Sequence, residues 1–148
     1  MNHWDRRFIA CALLTGLCGI QGLATLAIDL HRTHATNPRW PGHARFHVVW
    51  QSMNMAILSA LEIGLIWWHG PQATQRFYLA TILASVSCFG FLLALLGRHL
   101  YAGTLSDLNG IPPARIAIAG RTRSIDLNLA AIFAALLILA AIVELYSR

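Results

Sequence analysis

Phe77-Tyr-Leu-Ala-Thr-Ile-Leu-Ala-Ser-Val-Ser-Cys-Phe-Gly-Phe-Leu-Leu-Ala-Leu-Leu96 is a run of twenty residues without one charged side chain. A helix that crosses the hydrocarbon of a bilayer needs about 20 such residues. Three further stretches qualify: Phe8 to Leu30, Val48 to Trp68 and Leu127 to Leu145. No water is present in hydrocarbon to satisfy backbone polar groups, so each run must close its hydrogen bonds internally, as a helix. The expected fold is therefore all-α. It is an integral membrane bundle of four transmembrane helices forming one domain over residues 1–148, with a long, partly structured connection between the third and fourth. Small residues at helical spacing are the expected packing positions: Ala80, Ala84 and Cys88, Ala131 and Ala135, and Gly16, Gly19 and Gly22.

Composition agrees. Apolar residues make up 57% of the 148-residue chain and charged residues 11%, against about a quarter charged in soluble domains. Mean hydropathy is +0.57. All eleven basic residues are arginine, and the formal net charge is +5. Those arginines flank apolar runs rather than forming a dense basic segment, so they read as interfacial anchors and topology signals, not as a nucleic-acid surface. Arginine without lysine fits a GC-rich bacterial genome, and with it an inner membrane. Cys11, Cys18 and Cys88 lie inside apolar runs without a C-x-x-C pair and read as small buried hydrophobes. Arg6 and Arg7 before an apolar stretch imitate a signal peptide, but the stretch runs too long for one and is expected to remain as the first helix.

Four crossings place both termini on one side and both long connections, His31 to His47 and Gly97 to Asp126, on the other. Seven arginines fall in those connections (Arg32, Arg39, Arg45, Arg98, Arg115, Arg121 and Arg123) against Arg6, Arg7, Arg76 and Arg148 opposite. The positive-inside rule then puts the long connections in the cytoplasm. Pro41 suits the first turn of the second helix, which is expected to begin before the apolar run. Arg98 to Leu108 is expected to continue the third helix, Pro112-Pro113 to break it, and Ile116 and Ile118 to lie along the interface. Trp4, Trp67 and Trp68 read as belt residues at the boundary.

Chemistry-bearing residues gather on the long-connection side. Asp29, His31 and His34 end the first helix, and His43 and His47 begin the second. His99, Asp107, Asn109 and Asp126 belong to the other connection. His43 and His47 are four apart, which on a helix puts both rings on one face. His31, His34, His43, His47 and His99 are the candidate metal ligands, for iron, zinc or copper, with Asp29, Asp107 or Asp126 adding carboxylates. A metal-free site is the alternative. Along the second helix His47, Gln51, Asn54 and Glu62 fall roughly on one stripe. A carboxylate at the membrane centre costs about 2.5–3.5 kcal/mol on insertion scales, so Glu62 should face the bundle interior. Asp29, His47, Glu62 and Asp107 are the candidate catalytic groups. Trp40, Trp50, Gln51 and Asn54 are the candidate substrate contacts, with the two tryptophans walling a pocket.

The run Asn37-Pro-Arg-Trp40-Pro-Gly-His43-Ala-Arg-Phe-His47, with Asp29 and His34 upstream, resembles the signature of a family of small four-helix membrane proteins in which N-P-x-W-P precedes H-A-x-F-H at the start of the second helix. It covers about one-eighth of the chain. The resemblance implies the four-span fold and a common site for Asp29, His34, His43 and His47. It brings no reaction with it. Small membrane sterol isomerases offer an analogy at the level of fold alone.

The chain carries no Gly-rich phosphate loop, no G-x-S-x-G and no dinucleotide fingerprint. The leading expectation is an intramembrane enzyme acting on a lipophilic small molecule at one interface: oxidation or desaturation with iron or copper, hydrolysis with zinc. The first alternative is a metal-free acid–base isomerase or cyclase of an isoprenoid-like or lipid-like substrate. The second is a non-catalytic accessory subunit or a small proton or metal carrier. The bilayer and the lipophilic molecule are the expected partners. A homo-oligomer is compatible with either, and nucleic acid is not expected.

Overall fold

A computed structural model describes residues 3–106, 112–118 and 120–148, without the side chains of residues 3 and 118. Four helices dominate it: α1 (His3–Asp29), α2 (Gly42–Trp67), α3 (Ala73–Gly97) and α4 (Leu127–Ser147). All four are long and apolar enough to cross a bilayer. Each packs on the next in chain order, α4 packs back on α1, and α1 also touches α3 across the ring.

Helix ends follow local chemistry. Proline lacks a backbone N–H and is tolerated only at a helix start. Pro41 immediately precedes α2, and its carbonyl accepts from the Arg45 amide at 3.1 Å. α2 thus starts well before the apolar run at Val48, as expected from Pro41. Between α2 and α3 the Arg76 guanidinium donates to the carbonyls of Trp68 (2.8 Å), Gly70 (3.1 Å) and Pro71. These carbonyls lie past the end of α2, where no helical partner exists. Asp126 caps α4, its carboxylate accepting from the Leu129 amide at 2.9 Å.

One expectation is corrected. α3 does not continue to Leu108. It ends at Gly97, and a single 3-10 turn, Arg98–Leu100, follows it. Ala102 then takes a left-handed backbone (φ 54°), the Gly103 amide reaches back to the Arg98 carbonyl at 2.8 Å, and the Tyr101 hydroxyl donates to the Ala94 carbonyl at 2.7 Å. The four helices make the fold all-α, and the long connection is partly structured, as expected. β1 (Ala114–Ile118) and β2 (Arg121–Ile125) form an antiparallel hairpin inside the long connection. Isoleucine and threonine alternate with smaller or charged residues there, a period-2 pattern that suits a strand. Gly120, at φ 74°, supplies the positive φ that a two-residue hairpin turn needs.

The core occupies the half of the bundle nearest the termini. Ala10, Leu14, Leu17 and Cys18 of α1 meet Phe77, Ala80 and Ala84 of α3 and Leu139, Ile142 and Tyr146 of α4. Phe77 and Tyr146 stack at 3.7 Å, and the Arg7 guanidinium sits 4.9 Å over the Tyr146 ring. Toward the long connections the packing thins. Among the described residues none beyond Gly22 on α1, beyond Cys88 on α3 or before Leu139 on α4 is buried within its helix. Ala80, Ala84 and Cys88 are buried as their spacing predicts, whereas Ala131 is exposed. Gly16 and Gly19 have open space where a Cβ would be, so they are not packing positions.

Gly22 is one. A Cβ there would fall 2.8 Å from the Ser59 Cβ of α2, and the Ser59 hydroxyl donates to the Cys18 carbonyl at 2.6 Å. Gly22→Ala therefore forces α1 and α2 apart. The expected loss is about 1–3 kcal/mol, read as a lowered midpoint in a thermal unfolding series in detergent, with Ser59→Gly recovering part of it. No loss in Gly22→Ala would mean that the two helices do not meet there. Arg76→Ala leaves three carbonyls of the α2–α3 turn without their partner and is expected to cost about 1.5–3 kcal/mol. In the same assay Arg76→Lys should recover only part, since one ammonium does not reproduce the guanidinium fork.

Candidate functional site

The connection from Leu30 to Pro41 is tightly folded. Amides of His34, Asn37 and Trp40 donate to the carbonyls of His31 (2.9 Å), His34 (3.0 Å) and Asn37 (3.1 Å), a succession of short turns. The Ala35 amide returns to the Asp29 carbonyl at 2.9 Å. Asn37 is buried, and its side-chain oxygen accepts from the Arg39 amide at 3.0 Å, an Asx turn of the kind asparagine favours. The Trp40 ring meets His34 edge to face at 5.4 Å. Thr33 Oγ1 lies 2.9 Å from His34 Nδ1 and 3.5 Å from His31 Nδ1. Much of the Asn37-Pro-Arg-Trp-Pro run thus has work in the fold: Asn37 turns the chain, Trp40 packs on His34, and Pro41 starts α2.

The other histidine pair lies in the first turns of α2, exposed. His43 Nε2 and His47 Nε2 are 3.0 Å apart, with the ring planes at 87°. One ring must donate and the other accept, so the contact exists only while at least one imidazole is neutral. Trp50 lies 5.8 Å from His47, and Phe46 flanks both. Immediately along the helix is a hollow of about 280 Å³ lined by His47, Trp50, Gln51 and Asn54. All four are exposed and face away from the bundle interior. Three of the four proposed substrate contacts therefore adjoin one of the proposed catalytic groups. The fourth, Trp40, does not line this hollow and packs on His34 instead.

Glu62 is placed elsewhere. It is 2% exposed and, with Ser52 and Ser59, is one of the buried residues of α2, close to Cys18 of α1. Fifteen residues, about 22 Å of helix axis, separate it from His47. His47, Gln51 and Asn54 are exposed whereas Glu62 is buried, so the expected stripe is covered only at its Glu62 end. Glu62 nevertheless faces the interior, as the cost of a charge in hydrocarbon requires. Asp29, the last residue of α1, is half-buried. Asp126 is the cap of α4. His99 lies exposed in the turn after α3. Asp107 and Asn109 lie outside the described residues.

The five histidines expected to share a metal are thus found as one pair held by Thr33 and Trp40, one pair in mutual contact, and His99 apart. Among the described residues no three His, Cys, Asp or Glu side chains converge. The fold of residues 30–41 directs His31 and His34 into local contacts. His43 and His47 bring two nitrogen donors within reach of one point.

Two features were not read from the sequence. Gln21 of α1 donates its amide to the Ala84 carbonyl (3.1 Å) and to Ser87 Oγ (3.2 Å) of α3, with Cys88 Sγ at 3.8 Å. Its mid-helix position among apolar residues was the available signal. A smaller hollow of about 160 Å³, lined by residues including Phe91, Arg98, Tyr101 and Thr104, lies at the end of α3. It depends on the left-handed turn at Ala102, which no sequence pattern announces.

Comparison with known proteins returned no match: no family model, no curated protein and no solved structure is similar to this chain.

Asn37→Ala is expected to loosen the α1–α2 connection and leave the helices intact. Hydrogen exchange across residues 33–41 should accelerate severalfold while the α1 and α3 interiors stay protected. Unchanged exchange in that segment would remove Asn37 from its proposed role in the turn.

Proposed function

We propose that this chain is a four-span integral membrane protein, with its long connections on the cytoplasmic face of a bacterial inner membrane. It acts there as an enzyme on a lipophilic small molecule by acid–base chemistry at the α2 hollow. One observation carries the reading: two imidazoles in hydrogen-bonding contact at 3.0 Å beside a hollow with an aromatic wall and two amides. The hollow opens outward from the bundle, so a substrate dissolved in the bilayer reaches it laterally. Trp50 offers a π-face to the apolar body or to a developing cation. Gln51 and Asn54 each carry a donor and an acceptor for one polar group. His47 exchanges a proton with the substrate, and His43 takes or supplies that proton through the shared hydrogen bond. The reaction class that needs no more than this is isomerisation, in which one proton is added at one carbon and one is removed from another, with no net redox change.

The test is comparative lipid mass spectrometry of membranes expressing the chain, its His47→Ala and His43→Ala variants, or neither. A lipophilic species is expected to change in amount with the unaltered chain. His47→Ala should lower the conversion by about 10²–10⁴-fold, the usual contribution of a general acid or base, at equal protein level. His43→Ala should lower it less and alter its pH profile. Lipid profiles indistinguishable between the unaltered chain and His47→Ala would remove the proposal. Stoichiometric transition metal in the purified protein, lost in both variants, would replace acid–base chemistry by metal chemistry at the same pair.

A further inference from the structure

The hairpin has no role in that chemistry, and no described helix buries it. β1 and β2 pair with each other, and neither strand packs on any helix beyond isolated contacts. A lone two-stranded hairpin is marginal in water, so a further surface must support it. Register decides what its faces offer. Ala114 pairs with Ile125, Ile116 with Arg123, and Ile118 with Arg121, while Arg115 pairs with Ser124 and Ala117 with Thr122. Residues directly opposite share a face. One face therefore carries Ile116 and Ile125 together with Arg121 and Arg123. The other carries Arg115 among small and hydroxyl side chains.

Ile116 is 41% exposed and Arg121 and Arg123 are exposed beside it. No acidic residue occurs from Pro112 to Ile125. Position is fixed as well. Ile125 directly precedes the Asp126 cap, and the apolar helix α4 begins at Leu127. The hairpin is thus tied to the level at which α4 enters its apolar run, on the side that also bears Arg32, Arg39, Arg45 and Arg98.

We propose that the β1–β2 hairpin lies on the bilayer surface and binds anionic phospholipid headgroups. Arg121 and Arg123 engage phosphate oxygens, while Ile116 and Ile125 enter the acyl boundary. Guanidinium forks match phosphate geometry. A short amphipathic element with basic and branched apolar residues on one face is suited to the headgroup layer. A soluble acidic partner would satisfy the arginines but not the isoleucines beside them, and the tether to α4 holds the face at the membrane. The inference rests on the four-span reading and not on the chemistry at α2.

Hydrogen exchange of the full chain in lipid nanodiscs tests it. Discs of phosphatidylcholine are compared with discs containing one part in three phosphatidylglycerol. The segment 112–125 should exchange severalfold more slowly in the anionic discs. Arg121→Gln with Arg123→Gln, or high salt, should abolish the difference. Ile116→Ser should reduce it. Equal exchange in both discs would overturn the proposal, as would protection that survives in the double variant. So would protection of the same size when inorganic phosphate or a soluble acidic polypeptide is added to phosphatidylcholine discs, since the bilayer would not then be the ligand. The helix interiors report separately on the fold: loss of their protection in both discs would indict the four-span reading itself.

Discussion

The approach of α1 to α2 at Gly22 and Ser59 sets the rotation of α2, and with it the fate of nearly every polar group on that helix. No side chain intervenes at Gly22, so the Ser59 hydroxyl reaches the Cys18 carbonyl at 2.6 Å. Glu62, less than one turn further on, is buried close to Cys18. A helix cannot present all its faces to one neighbour. With Ser52 and Ser59 facing inward, His47, Trp50 and Asn54, about 120–180° around the helix from them, face outward. One small-residue contact thus separates a closed polar layer inside the bundle from an open polar hollow on its surface.

Gln21 plays a related part across the ring, where it joins α1 to α3 by hydrogen bonds to Ala84 and Ser87. Side-chain hydrogen bonds between helices in apolar surroundings contribute modestly one at a time. Their larger effect is on register, because an unmatched amide or carboxyl in that setting is costly. The interior polar groups act here as alignment devices for helices that otherwise present one another with similar apolar surfaces.

Packing is uneven along the bundle. Near the termini Phe77, Tyr146 and Arg7 form a stacked aromatic and cationic contact, and the buried side chains of three helices converge there. Toward the long connections the helices are only half covered. Local opening is expected where buried contacts are few, so the long-connection half is the more mobile end. The histidines, both hollows and the hairpin all belong to that end, while the opposite end anchors the assembly.

The sequence by itself determined that there are four helices long and apolar enough to cross a bilayer, and roughly where they run, because backbone in such runs must close its own hydrogen bonds. It also determined that His43 and His47 would meet, since that contact is local to one helix turn. Tertiary structure decided the rest. Glu62 is buried and His47 exposed because neighbouring helices cover α2 at one height and not at the other. His31 and His34 are engaged locally, by Thr33 and Trp40. The hairpin was legible in its alternation of Arg, Ile and Thr, but long hydrophobic runs on either side dominate a reading by length. Whether two residues distant in sequence share a site depends on relative rotation and height of helices, and those are set by contacts that no single helix contains.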